Sequence, residues 1–219
     1  MTENVKKELL DFDLLTAPGY DDLANIKLPD PSLLDYYSRR QNRCILWNDD
    51  IEDNFIEIYQ DILQWNRDDI RNDVKKENCK PIRIYINSDG GSVSAVFTII
   101  DLILMSYTPV ITIGLGKCYS SGGLLLMAGH TRYLLPHCTV LIHDGQIGTG
   151  YGSTGKIIDS MEHTKALKEK IKGYILSRTF ISEEDYEKNY RKDWWIFAED
   201  CVSTYGIADK IVTDITEIM

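Results

Sequence analysis

Short apolar runs alternate along this chain with longer stretches of helical periodicity. A helix is predicted to begin near Ser32 and to carry Leu33, Leu34, Tyr36 and Tyr37. Residues 43–47 (RCILW) read as a strand. Residues 52–65 place Phe55, Ile56, Ile58, Tyr59, Ile62 and Leu63 on one face, the pattern of an amphipathic helix. Residues 66–80 are charged and poor in apolar side chains, which predicts a solvated helix extension and loop. Residues 82–87 form a β-rich run that meets the turn Ser88-Asp89-Gly90-Gly91, and residues 92–105 return to helical spacing. A strand is predicted over 110–114 and a helix over 120–129, ending at a glycine. Two more strands, 133–135 and 140–143, are separated by Pro136. Strand–helix alternation of this kind predicts βαβ units with right-handed connections.

Beyond His143 the pattern loosens. Residues 145–155 hold five glycines and predict a flexible loop. Residues 154–180 predict a long helix with a stripe of Ile157, Met161, Leu167, Ile171, Tyr174 and Ile175, suited either to an interface or to ordinary core packing. Ser182-x-x-Asp185 resembles a capping box, residues 194–197 are a short apolar run, and a helix over 198–205 stops at Gly206.

Composition narrows the function. A chain of 219 residues with 43% hydrophobic positions suits one domain, here 31–219, preceded by an arm over 1–30 punctuated by Pro18-Gly19 and Pro29-Asp30-Pro31. A net charge of −10 disfavours a nucleic-acid partner. Five scattered cysteines, without a C-x-x-C pair, argue against a disulfide framework or a zinc site and suit a reducing cytoplasm. The N-terminal residues lack a signal-peptide core, and no apolar run approaches the ~20 residues of a membrane span. A soluble cytoplasmic protein is expected. The nucleotide-binding pattern GxxxxGK[ST] does not occur, and no cofactor is expected.

Two strand-to-helix junctions carry candidate chemistry. Adjacent Gly90 and Gly91 free backbone N–H groups to approach an oxyanion or a phosphate, although such pairs are often plain turns. In Gly116-Lys117-Cys118-Tyr119-Ser120-Ser121-Gly122-Gly123, Ser120 opens a helix, where it is either an exposed nucleophile or, with Ser121, a simple N-cap. A serine hydroxyl needs a base at neutral pH. Of His130, His137, His143 and His163, only His143 ends a strand and opens the glycine-rich loop, where active-site groups collect. Spacing leaves the orienting acid open among Asp185, Asp193, Asp209 and Asp214.

At these residues the sequence resembles the proteolytic subunit of the Clp protease, the ClpP family, over roughly residues 30 to 214. Ile84-Tyr85-Ile86-Asn87-Ser88-Asp89-Gly90-Gly91 is similar to its YINSPGG turn, and the Gly116–Gly123 segment to its GQAASMGA nucleophile segment. Leu135-Pro136 and Leu141-Ile142-His143 match LPN…MIHQP, and Asp193 through Asp209 fits RDxFxxAxEAxxYGLVD. The resemblance implies an α/β fold of the ClpP/crotonase-like type, with repeated ββα units and a protruding handle helix at about 145–180. It implies a serine endopeptidase with Ser120 as nucleophile, His143 as base and Asp193 as orienting acid. Its oxyanion hole would be the N–H groups of Gly91 and Ser121. The expected partners are a polypeptide substrate, further copies of the chain in heptameric rings stacked as a tetradecamer with sites inside a chamber, and an ATP-driven AAA+ unfoldase. A catalytically inactive ring subunit and a crotonase-type acyl-CoA enzyme are the alternatives. The chain departs from the family wording at Asp89 (proline), Tyr119 (a small residue), Asp144-Gly145 (Gln-Pro) and the handle, Tyr151-Gly152-Ser153-Thr154-Gly155.

Overall fold

Residues 31–52, 56–145 and 152–219 are described in a computed structural model of the chain. The segment 1–30, expected as an arm, and most of the glycine-rich loop lie outside the described residues. From Arg39 onward the chain forms one compact unit, distinct from Met1–Ser38.

The order of elements is α1 (Pro31–Asn42), β1 (Cys44–Trp47), α2 (Ile56–Arg71), β2 (Ile82–Ser88), α3 (Val93–Leu104), β3 (Val110–Tyr119), α4 (Ser121–Ala128), β4 (Thr131–Leu134), β5 (Thr139–Ile142), α5 (Thr154–Arg178), α6 (Glu183–Asn189), β6 (Trp194–Phe197), α7 (Ala198–Ser203) and β7 (Lys210–Ile211). The sheet runs β1-β2-β3-β4-β7, all parallel, while β5 also pairs with β3 and carries β6 antiparallel on its other edge. The result is an α/β fold with a mostly parallel sheet.

Why these segments take these forms follows from their burial. In β2 alternate residues Ile82, Ile84 and Ile86 are sealed in the core, while Arg83, Tyr85 and Asn87 on the other face are half-buried. Each sealed isoleucine contributes about 2 kcal/mol of burial. Helix α3 turns Ala95, Val96, Ile99, Ile100 and Ile103 inward, and Ser92 caps it by accepting the N–H of Ala95 at 3.3 Å. Every residue of α4 is buried, so this short helix is the centre of the molecule rather than a surface helix. At its C-terminal end the Arg178 guanidinium donates to the carbonyls of Met127 (2.9 Å) and Gly129 (2.8 Å), answering groups the helix cannot bond itself.

The structure corrects the sequence reading in two places. Strand β3 continues to Tyr119 rather than stopping at Gly114. Its first half pairs with β4 (Ile111↔Thr131 to Gly114↔Leu134) and its second half with β5 (Lys117↔Thr139 to Tyr119↔Leu141). That second partner lies twenty residues downstream and overrides the poor β-propensity of Gly114 and Gly116. The expected helix extension and loop after Trp65 are present, with helix α2 running to Arg71 and most of 66–80 exposed, but two of its polar residues are engaged by the core instead of by solvent. The Asn66 side chain donates to Ile62 O and accepts the N–H groups of Tyr107 and Thr108. Asp69, only 4% exposed, takes both Arg43 guanidinium nitrogens at 2.6 and 2.7 Å and the Thr108 hydroxyl at 2.7 Å.

The Arg43 guanidinium holds the Asp69 carboxyl below its usual value against the opposing effect of burial. A depressed carboxylate stabilises the fold above its unfolded pKa, about 3.9, and the contribution is lost as pH falls through the folded value. Asp69→Ala is therefore expected to destabilise the chain by about 3 kcal/mol at pH 7, since the half-buried Arg43 loses its ion-pair partner and keeps only the Lys80 carbonyl. Denaturant unfolding at fixed protein concentration should show that deficit shrinking below about pH 4.

Candidate active site

Parallel pairing ends β3 and β5 side by side. Tyr119 stands opposite Leu141, and the N–H of the next residue, Ser120, donates to Leu141 O at 2.9 Å. His143 lies two residues beyond Leu141, immediately after β5. The serine and the imidazole are thus carried on adjacent strand ends.

The backbone of Ser120 is unusual. Its φ of 53° and ψ of −121° put a residue with a Cβ in the positive-φ region, a sharp reversal between β3 and α4. Although Ser120 occupies the N-cap position, its side chain makes no cap hydrogen bond. The bland reading of Ser120 as a capping residue therefore fails. Its carbonyl instead accepts the N–H groups of Gly123 and Leu124 at 3.0 and 3.2 Å.

Asp193, just before β6, places a carboxylate oxygen 3.6 Å from His143 Nδ1. That separation is beyond hydrogen-bond distance, and the contact becomes an ion pair only when the imidazole carries a proton. The imidazole side chain is 24% exposed and the carboxylate 64%. The other three acids left open by spacing are occupied elsewhere. Asp185 pairs with the Ser182 hydroxyl that caps α6, Asp209 holds Arg132, and Asp214 accepts the Thr216 N–H. No described residue hydrogen-bonds the Ser120 hydroxyl, so Ser120 and His143 are neighbours without a direct bond. Serine–base contacts commonly tighten only around substrate.

Facing Ser120 is the Gly90-Gly91 turn, with φ of 112° and 136°. A Cβ on Gly90 would stand 2.7 Å from Ser120 Cβ, and one on Gly91 would stand 2.8 Å from Ile51 N. Only glycine fits either place. Ile51 bridges this turn: its N–H donates to Gly90 O at 2.6 Å, and its carbonyl accepts the Ser92 N–H at 2.6 Å. The Gly91 N–H itself has no partner among the described residues. Ser121 is the first residue of α4, so its N–H has no acceptor within the helix. Its hydroxyl, by contrast, is committed to Gly91 O at 2.9 Å.

Several features here escape sequence reading. The Asp89 carboxylate pairs with Lys117 Nζ across the two junctions and raises the lysine above its ordinary value. Asp144 pairs with Lys168 of α5 at 2.6 Å, tying the residue after His143 to the long helix. The Tyr119 ring meets Trp195 edge-on at 4.9 Å. Opposite charges at positions 89 and 117, one in each junction, were the one available signal. Cys118, two residues before Ser120, is no rival nucleophile: the Cys138 thiol beside it and complete burial hold its own thiol well above the ordinary value. His130 is structural, accepting the Val110 N–H on Nδ1 at 3.0 Å. Among the described residues no group of His, Cys, Asp and Glu is arranged to hold a metal ion, and no helix is long and apolar enough to cross a membrane.

The family model for the Clp protease matches residues 34–214. This chain belongs to the Clp protease family. The curated protein named ATP-dependent Clp protease proteolytic subunit 2 of Tropheryma whipplei (strain Twist) is 31% identical over 177 residues, 80% of this chain and 93% of its own length. Its namesake in Prochlorococcus marinus (strain MIT 9312) is 34% identical over 143 residues, covering 64% and 70%. That of Bifidobacterium longum (strain NCC 2705) is 30% identical over 173 residues, covering 73% and 83%. Membership makes the chain a Clp-type peptidase, and it implies a homo-oligomer.

Gly91→Ala is expected to cost about 2 kcal/mol or more, from the positive φ and the overlap with Ile51. Thermal unfolding should show this as a drop in Tm on the order of 5 °C.

Proposed function

We propose that this Clp-type peptidase is a serine endopeptidase, with Ser120 as nucleophile, His143 as general base, Asp193 as orienting acid, and the N–H groups of Gly91 and Ser121 as oxyanion hole. The observation that carries the reading is the His143–Asp193 pair, 3.6 Å apart, on the strand end next to an uncapped serine in a reversed backbone.

In this scheme Ser120 Oγ adds to the peptide carbonyl carbon as His143 takes its proton. Asp193 stabilises the imidazolium. The carbonyl oxygen, now an oxyanion, accepts from the two free amides. Collapse breaks the C–N bond, and the leaving amine takes the proton from His143. Water then adds to the Ser120 ester with His143 again as base, and release of the acid product restores the serine. The substrate is an unfolded polypeptide or peptide. Residues 31–219 form the peptidase domain and the segment 145–180 its handle, supported by the exposed Ile157, Ile158 and Met161 along α5. Assembly as heptameric rings stacked into a tetradecamer, with an AAA+ unfoldase feeding a closed chamber in the cytoplasm, follows from the resemblance.

Ser120→Ala is expected to abolish both peptide cleavage and labelling by a fluorophosphonate, read by intact-protein mass spectrometry. Unchanged labelling of that variant would remove Ser120 as the nucleophile. An unsubstituted protein that forms rings but neither cleaves nor labels is the inactive subunit instead. Asp193→Asn should lower kcat by less than the ~10⁴-fold seen where the triad acid is buried, because this carboxylate is more than half exposed. A steady-state kcat equal to that of the parent removes the acid from the scheme.

A further inference from the structure

We infer that the Ser121 side chain is a positioning group for the oxyanion hole: its hydroxyl fixes the glycine that carries the opposite donor. The inference rests on the hole proposed above and assigns the hydroxyl of Ser121 a role beyond that of its amide.

The two peptide groups around Gly91 are held from different sides. A trans peptide points its C=O and N–H in opposite directions. Anchoring Gly90 O on the Ile51 N–H therefore aims the Gly91 N–H away from Ile51. The following peptide is held at its N–H end by Ser92 N–H donating to Ile51 O, and at its carbonyl end by Ser121 Oγ donating to Gly91 O at 2.9 Å. Gly91 has no Cβ to confine its torsions, and its φ of 136° is one that other residues avoid. Hydrogen bonds alone set this geometry. Ser121 is 1% exposed, so no bulk water stands ready to replace its hydroxyl.

One residue thus offers one amide to the hole and grips the residue that offers the other. The Ser121 side chain is the direct link between the two donor-bearing residues, while Ile51 holds the turn from its other side. The family wording GQAASMGA has methionine after its serine, so the hydroxyl is a departure of this chain.

Ser121→Ala and Ser121→Thr in the full chain test the inference. The alanine variant should lose about tenfold in kcat, less than the 10²–10³ of deleting a donor outright, with KM within about twofold. Its affinity for a peptide boronic acid, which mimics the tetrahedral adduct, should fall by the same factor while affinity for a product peptide stays unchanged. Amide exchange at Ser92 should quicken about tenfold without change in the core amides of β2. Threonine, which keeps the hydroxyl, should restore each quantity. An alanine variant whose kcat and boronate affinity match the parent, an unaltered Ser92 exchange, or a threonine variant indistinguishable from alanine overturns the inference. Failure of the peptidase reading is separate: there the unsubstituted chain neither cleaves nor labels, and the Ser92 exchange still decides whether the hydroxyl holds the turn.

Discussion

The hydrogen bond from Ser120 N–H to Leu141 O, at 2.9 Å, closes a pairing on which the whole site depends. Strand β3 uses one partner for its first half and another for its second, and the change of partner at Gly114–Lys117 lets β5 run on past the end of β4. Without β5 there is no strand end to carry His143 beside Ser120, and no edge on which β6 can return with Asp193. The buried helix α4 fixes the other side of Ser120. Its C-terminal carbonyls are held by Arg178, so that end of the helix is not left to fray.

Second to that pairing is the clamp around Gly91. Ile51 belongs to the loop after β1 and is 1% exposed, which anchors an otherwise polar stretch, Asn48-Asp49-Asp50, against the turn. The charge pairs nearby, Asp89 with Lys117 and Asp144 with Lys168, remain partly open to solvent, and pairs of that kind contribute little to stability. Their effect is local geometry: one spans the two junctions, the other holds the exit from the strand that carries His143.

Local pattern served well wherever a segment's own side chains decide its form. The isoleucines of β2, the inward face of α3 and the Ser182 cap of α6 were all legible. The pattern failed where a distant partner decides. The end of β3 depends on β5, and Asn66 and Asp69 look solvated because the residues that bury them, Arg43 and Ser106 to Thr108, lie far away in sequence. The site shows the same division. Ser120 and His143 stood out by their junction positions, whereas spacing could not choose Asp193. Its carboxylate lies 3.6 Å from His143, whereas Asp185, Asp209 and Asp214 are each engaged elsewhere.

Because β6 is laid down against β5 only after the long helix α5 and the short α6 have been made, the carboxylate beside His143 comes from the last seventh of the chain, long after the serine. A nascent chain emerging from the ribosome carries Ser120 and His143 some fifty residues before Asp193 is made. The order of synthesis thereby postpones the meeting of His143 and Asp193 until β6 has been made.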